Sequence, residues 1–480
     1  MIVTETRAPS RPAARQPARI WPNAAAGIVA ILVALAGSSA VSHSGDELAT
    51  LSAARRGLGG LWELAQHIDG HFLPYYGFMH LWLELGQAEW WMRLPSALAT
   101  GAAAALIADL GRRLGSPPAG LFAAVVYVLL PSVSYHGQNA RPYAFAAAAA
   151  VLATWALHRA MEEPERRAGW WRYAAAVGLL GCTQVFSLLV LAAHLSAVGL
   201  YGRGVLPRTV ASMAVGCVPG AMWTAVGFAE RHAISWIKLP EPDVFLALPK
   251  MIGGTALAGC AVLILAVAAP LVRRRHGADR LWIALLAGWA VLPPLLLFAV
   301  SYLVSPVYVD RYLFATVPAY ALLAGLTLAA VPRAVAGPAL AGVLVAGLPG
   351  QLDVRREDGH HENFPRAVRI ITDAAEPGDA IVYGRSSLRE GFLYYGGGSL
   401  PDDVLRTGSA PLPDSFGYPE RADLAAAVEG RERVWVIWRG GSAAASGVDR
   451  VGELTEEGFT RVKAWQVGRV PGMTVALYTR

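Results

Sequence analysis

The sequence predicts a polytopic α-helical membrane protein of about eleven transmembrane helices, with interfacial helices in its first outer loop and a small C-terminal α/β domain outside the membrane. Three observations predict it. The chain is 55% hydrophobic and only 16% charged, with a mean hydropathy of +0.40, whereas soluble domains run near a quarter charged. Long apolar runs recur from residue 23 to 350, and arginines crowd into alternate loops between them. After about residue 352 the chain turns charged and carries short strand-like pieces.

Residues 1–22 are polar, with Arg7, Arg11, Arg15 and Arg19 spaced among Pro and Ala, and read as a disordered cytoplasmic tail. The run NAAAGIVAILVALAGSSAV is long enough to span and lacks a clean small-residue cleavage site before Asp46 and Glu47, so it reads as a retained first helix. Further runs cover 93–110, 118–133, 141–157, 171–201, 207–228, 245–271, 281–304, 312–331 and 334–350. The run 171–201 is too long for one span; two short helices turning near Thr183 and Gln184 put every Arg-rich loop on one side. Seventeen Lys and Arg then fall in cytoplasmic segments, against eight in the opposite loops: Arg55, Arg56, Arg93, Arg141, Arg231, Lys238, Lys250 and Arg311. This bias predicts a cell-membrane protein with its N-terminus in the cytoplasm and its C-terminus outside.

The segment HFLPYYGFMHLWLELG is apolar, but His71, His80 and Glu84 would be costly at mid-bilayer. It reads as an in-plane helix. With LATLSAARRGL and LWELAQHI it makes residues 42–92 an outer loop of interfacial helices. Residues 23–351 form the membrane domain. Residues 352–480, with DAIVYGR, RVWVIWR and MTVALYT, form a small α/β domain for which helix and strand alternation favours a parallel or mixed sheet.

Cys182, Cys217 and Cys260 fall inside apolar segments and read as small core residues, which indicates neither a disulfide framework nor a thiol-rich metal site. The net charge of +6 sits in loops between spans, so it points to membrane orientation and not to nucleic acid.

With this topology, unusual polar residues gather on the outer face. Asp46 and Glu47 follow the first helix, with Asp69 and His71 in the same loop. Tyr135, His136, Gln138, Arg141 and Tyr143 end the third and fourth spans, Glu230, Arg231 and His232 follow the seventh, and Asp310, Arg311 and Tyr312 precede the tenth. Singly, each has an ordinary explanation: Asp46 and Glu47 cap a helix, and Arg141 or Arg311 snorkels to headgroups. Together, carboxylates and arginines at the outer ends of several helices are what a lipid-linked anionic substrate requires. When a sugar leaves a polyprenyl phosphate, the phosphate needs no acid, but its charge must be held by cations. The acceptor hydroxyl needs one carboxylate as general base, typically worth about a hundred- to ten-thousand-fold in rate.

The ordered set SGDELAT, HIDGHFLPYYGFMHLW, RLPSAL, YHGQNARPYAF and SPVYVDRYLFATVPAYALLAG resembles the GT-C glycosyltransferases of the protein O-mannosyltransferase and aminoarabinose-transferase type, their actinobacterial branch most closely, over about residues 25–330. The resemblance implies an inverting transfer of mannose or another hexose or pentose from a polyprenyl-phosphate-sugar to an extracytoplasmic glycan, lipid or protein acceptor. It places the catalytic base on Asp46, with Glu47 beside it and the second acidic position on Asp69. The Gln-x-Ala-Arg-x-Tyr stretch falls on Gln138, Ala140, Arg141 and Tyr143, and the Arg-Tyr pair on Arg311 and Tyr312. His71, Tyr75 and His80 of the in-plane segment join these as candidate substrate contacts. The chain departs from the family where Asn139 replaces a frequent Glu and where a double proline is reduced to Pro74.

His67, Asp69 and His71 converge as metal ligands only in an extended segment, which Gly70 and Pro74 break, so no protein metal site is assigned. A divalent Mg or Mn ion held between the donor phosphate and Asp46, Glu47 or Asp69 stays open as a cofactor. Two other classes are the alternatives: a lipid or polysaccharide transporter or flippase, which would place charges at mid-span and broken helices in repeated halves, and a non-catalytic scaffold. The charges gather instead at one face, and the sequence carries no internal repeat.

Overall fold

A computed structural model describes residues 21–227, 236–276, 279–469 and 472–480. The predicted tail up to residue 20, and the predicted site residues Glu230, Arg231 and His232, lie outside the described residues.

Helix occupies each run expected to span. In chain order these are α1 (Trp21–Leu35), then the three short helices of the outer loop, α2 (Gly45–Ala54), α3 (Leu58–Ala65) and α4 (Leu73–Leu83), followed by α5 (Glu89–Leu114), α6 (Pro117–Leu129), α7 (Pro131–Gly137), α8 (Tyr143–Glu162) and α9 (Arg167–Thr183). α10 (Leu191–Tyr201), α11 (Leu206–Gly227), α12 (Leu248–Gly253), α13 (Ala256–His276), α14 (Arg280–Leu303), α15 (Val317–Ala330) and α16 (Arg333–Val354) complete the membrane part. Among the described residues six helices are long and apolar enough to cross a membrane, or eight if each of two bent pairs is one span. α6 and α7 bend by 70° at Leu130–Pro131, where the proline lacks an N–H for the helical ladder; the segments Pro242–Gly253 and Ala256–Val272 bend by 92°. α1 and the segment Val185–Tyr201 are shorter apolar helices. The long run 171–201 breaks at Gln184, whose side chain leaves the helix to accept from the Ser187 N–H.

Burial separates central from lipid-facing helices. The segment Asp310–Ala330 is 89% buried, whereas Arg203–Gly227 and Arg333–Val354 are 17% and 22% buried. These outer helices present Val215, Met222, Val345 and Leu348 outward, apolar residues that only a bilayer covers without cost. Cys182 and Cys217 are half-buried and Cys260 is exposed on α13, so the expectation that the cysteines sit in the core is corrected: small residues also serve the lipid face. Where helices touch, small residues admit close approach. A Cβ on Gly111 of α5 would lie 2.8 Å from the Cα of Gly120 of α6, so a methyl group there would push the pair apart.

The C-terminal region folds as a five-stranded mixed sheet in the order β2-β1-β3-β5-β4, from β1 (Ala380–Tyr383), β2 (Asp402–Asp403), β3 (Arg433–Arg439), β4 (Thr460–Val467) and β5 (Met473–Thr479). β1 pairs parallel with β2 and β3, and β5 pairs antiparallel with β3 and β4. Side chains alternate across the sheet. Ile381, Tyr383, Trp435 and Ile437 join the core continuous with the membrane part, while Val382, Val434, Val436 and Trp438 form a second core on the other face. The first face is covered by α17 (Phe364–Thr372) and α18 (Arg389–Gly396), and α19 (Leu424–Ala427) and α20 (Asp449–Glu456) complete the region.

α17 and α18 also dock onto the outer loop. The Phe364 N–H donates to Ser42 at 3.1 Å, Tyr395 accepts from the His43 N–H at 2.9 Å, and Arg55 pairs with Glu390 at 3.1 Å. Loop 42–92 and the C-terminal domain therefore meet on one face of the molecule.

Candidate active site

The site begins at the N-terminus of α2. Ser44 caps the helix by accepting from the Glu47 N–H at 3.2 Å, and Glu47 returns the bond by accepting from the Ser44 N–H at 3.0 Å. Asp46 and Glu47 are adjacent, hence about 100° apart around the helix, and the turn gives them opposite surroundings. Glu47 faces inward and is fully buried. Its Oε1 accepts from Arg93 Nε at 2.7 Å and from the Ala140 N–H at 3.1 Å, and its Oε2 from Arg93 Nη2 at 2.8 Å and His360 Nδ1 at 3.1 Å. These partners hold its carboxyl well below the usual range against the upward push of burial. Glu47 was expected to touch substrate; instead its acceptors are filled by four parts of the fold, and its place is that of a clamp.

Asp46 faces the other way with 48% of its side chain exposed, and its Oδ2 lies 3.9 Å from Arg311 Nε. Burial pushes its carboxyl up, but the charges of Arg141, Arg311 and Arg439 more than offset this and hold it below the usual value. Arg311 is the second residue of the 3-10 turn leading into α15 and donates from Nε to the Tyr143 hydroxyl at 3.0 Å. Its guanidinium also lies over the rings of Trp236 (5.6 Å) and Tyr312 (5.7 Å). Arg141, buried, donates to the Tyr76 hydroxyl at 2.9 Å, sits over Phe72 at 4.6 Å and lies 3.7 Å from Asp69. Tyr76 in turn donates to Asp69 at 2.5 Å.

The fold thus brings Asp46, Asp69, Arg141, Tyr143 and Arg311 together. Other predicted residues take different places. His80 bonds the Ala54 carbonyl at 2.8 Å and ties α4 to α2; Gln138 donates to the Ala36 carbonyl at 2.8 Å from full burial. Tyr312 stacks on Phe186 at 5.1 Å, and Tyr75 packs edge-on against Phe145 at 5.7 Å. His71 packs on Phe72, and burial lowers its pKa to about 4, so it stands neutral. Among the described residues no three His, Cys, Asp or Glu side chains are set to hold a metal, and His67 bonds back to the Glu63 carbonyl, away from Asp69.

Four contributors were not foreseen as site residues. Arg93 had a signal, a charge at the start of a long apolar run. His360, Glu362 and Arg439 come from the C-terminal region and had none. Beside Arg311 opens a largely apolar cavity of about 410 Å³ lined by Trp236, Leu248, Met251, Tyr308 and Leu313, with Lys238, Glu241, Asp243 and Asp310 also on its wall.

The dolichyl-phosphate-mannose-protein mannosyltransferase family matches residues 75–223. A search of curated proteins by sequence finds no match. Among solved structures, ArnT from Cupriavidus metallidurans in the apo state superposes with a TM-score of 0.59 at 15% identity, covering 95% of this chain and 97% of that one. The same protein bound to undecaprenyl phosphate gives a TM-score of 0.57 at 15% identity, covering 96% and 98%.

Proposed function

We propose that this chain is a GT-C-type inverting glycosyltransferase that takes a sugar, mannose by default, from a polyprenyl-phosphate carrier on the non-cytoplasmic face of the cell membrane, a reading that its fold supports. One observation carries the reading: a half-exposed carboxylate, Asp46, stands within 4 Å of Arg311, with Arg141 beside it, next to an apolar cavity. A solvated surface carboxylate has no such surroundings. The cavity suits an isoprenoid, and Arg141 and Arg311 take its phosphate. The likeness to a structure bound to undecaprenyl phosphate supports this donor class.

In the proposed reaction the acceptor hydroxyl loses its proton to Asp46 as its oxygen attacks the anomeric carbon. The bond from that carbon to the phosphate oxygen breaks, and the electron pair leaves with the lipid phosphate. Tyr143 and Tyr76 hold the two guanidiniums in place beforehand, so the developing charge meets prearranged donors. A divalent cation, if the reaction uses one, would be held by Asp46 or Asp69 and would supply positive charge against the phosphate; Glu47, whose acceptors are filled, would not hold it.

The test is direct. Protein in nanodiscs is incubated with decaprenyl-phosphate-[14C]mannose and bacterial membranes as acceptor, and label transfer with release of decaprenyl phosphate is followed. Transfer by the wild type and its loss in Asp46→Asn support the proposal. Binding of the lipid without any turnover by the wild type overturns it in favour of a carrier or scaffold.

A further inference from the structure

Ala140 lies in the loop between α7 and α8, immediately before Arg141, and is fully buried. A buried backbone N–H and C=O both need partners, and a loop usually finds them in water or within itself. Here α2 supplies both. The Ala140 N–H donates to Glu47 Oε1 at 3.1 Å, and the Ala140 carbonyl accepts from the Thr50 hydroxyl at 3.0 Å. The same hydroxyl lies 3.3 Å from the carbonyl oxygen of Asp46, one turn earlier on α2. Thr50 is fully buried, so its hydroxyl is a fixed link between the backbone of Asp46 and that of the residue before Arg141.

The link is braced from two sides. α5 sends Arg93 to Glu47 and, one turn on, Ser96, whose hydroxyl donates to the Arg141 carbonyl at 3.4 Å. From the C-terminal region, fully buried His360 reaches Glu47 Oε2 from Nδ1 at 3.1 Å. An ionised carboxylate only accepts, so the ring carries a proton on Nδ1. Beside it Arg439, held by Glu362 at 2.9 Å, lies over Gly45, the first residue of α2.

The guanidinium of Arg141 has its own supports in Tyr76 and Phe72, and that of Arg311 in Tyr143. Holding the phosphate therefore does not depend on Thr50 or His360. The separation of base and phosphate does, because it is set by how α2 lies against the loop. We infer that Thr50 and His360 are positioning residues for the transfer: Thr50 ties the backbone of the base to that of the phosphate-holding arginine, and His360 makes the C-terminal domain a wall of that tie through Glu47. Reacting atoms must come within about 3–3.5 Å of each other, and a misplacement of about 1 Å costs on the order of a hundredfold in rate. The spacing tells only in the transition state, so its loss lowers kcat and spares KM. This rests on Asp46 being the base and Arg141 a phosphate contact.

The test follows transfer from decaprenyl-phosphate-mannose by the full-length protein in nanodiscs, with undecaprenyl phosphate binding measured alongside. Thr50→Val, which keeps the shape without the hydroxyl, should lower kcat about tenfold, with donor KM and lipid affinity within about twofold of wild type. Thr50→Ser, which keeps the hydroxyl, should stay within about threefold. His360→Leu should behave as Thr50→Val does, and His360→Asn, which sets an N–H near the place of Nδ1, should recover most of the rate. In the Asp46→Asn background, where no base remains to be placed, Thr50→Val should cost less than about twofold more, whereas a general loss of structure would multiply. Wild-type kcat in Thr50→Val, a Thr50→Ser as slow as Thr50→Val, or an undiminished loss in the Asp46→Asn background overturns the inference and leaves the donor and base assignments intact. So does failure of both Thr50→Val and His360→Leu to fold, which makes these contacts structural alone. No lipid binding or transfer by the wild type, or full turnover in Asp46→Asn, removes those assignments and this inference with them.

Discussion

Arg93 grips Glu47 with two parallel bonds, Nε to Oε1 at 2.7 Å and Nη2 to Oε2 at 2.8 Å, and both side chains are fully out of solvent. Such a pair is a weak source of net stability when intact, yet breaking it leaves one charge buried without a partner, at about 3–5 kcal/mol. Glu47→Gln should therefore lower the melting temperature sharply in detergent, while Asp46→Asn, one residue away and half-exposed, should melt close to wild type. Similar melts for the two variants would show that Glu47 is not the clamp.

For Asp46 the expected defect lies in rate. Asn keeps the size and hydrogen bonding of Asp but cannot take a proton, so turnover should drop by at least about a hundred-fold with undecaprenyl phosphate binding retained. If turnover survives, Asp69 is the next carboxylate to test.

Arg311 donates to Tyr143 through Nε, an atom that lysine lacks. If it holds the phosphate in a fixed plane, Arg311→Lys should cost nearly as much as Arg311→Ala, roughly 2–4 kcal/mol by analogy with oxyanion donors. Near wild-type transfer rates in Arg311→Lys at saturating acceptor would reduce this arginine to a headgroup contact.

Burial, with Asp46 nearby, raises Glu362 to about 7 from 4.5, against the pull of Arg439. A carboxyl whose folded pKa is raised favours the fold at low pH and loses that contribution as pH climbs from about 4.5 to about 7. Glu362→Gln should thus gain stability relative to wild type across this window, by at most about 3 kcal/mol. His71 acts in the opposite sense: its folded pKa of about 4 lies below the ordinary 6.5, so its contribution is complete above 6.5 and is lost as pH falls towards 4. Melting curves of Glu362→Gln and wild type between pH 4.5 and 8 separate the two, and parallel curves would refute the raised carboxyl.

Orientation is testable with single cysteines on a background lacking Cys182, Cys217 and Cys260. Gly59 and Ser409 are exposed on the face shared by the outer loop and the C-terminal domain. Both should react with an impermeant maleimide from outside intact cells, and Arg112→Cys should not. The reverse pattern would invert the proposed topology.

How much of this was legible before folding depends on the range of the information. Apolar run length was enough to locate the long helices, Gln184 was readable as a break within a run too long for one crossing, and Asp46 and Glu47 were readable as residues of a helix start, although the cap itself is Ser44. The chemistry-bearing residues at the outer ends of helices followed from the charge bias of the loops, and Asp46, Arg141, Tyr143 and Arg311 do share one site. β4 was missed because its side chains at the sheet edge are mostly exposed, so no buried apolar run marks it.

Tertiary structure alone decided which of two adjacent carboxylates is free. Asp and Glu at 46 and 47 are both acids of one helix start, and Arg93, Ala140 and His360, brought in from 46 to 313 positions away, fill the acceptors of one and leave the other half-exposed beside Arg311. The same holds for Arg439 and Glu362: no local pattern links a strand end to a helix start almost four hundred residues earlier. Their meeting follows from the docking of α17 and α18 on the outer loop, an event of surface complementarity that a one-dimensional pattern does not encode.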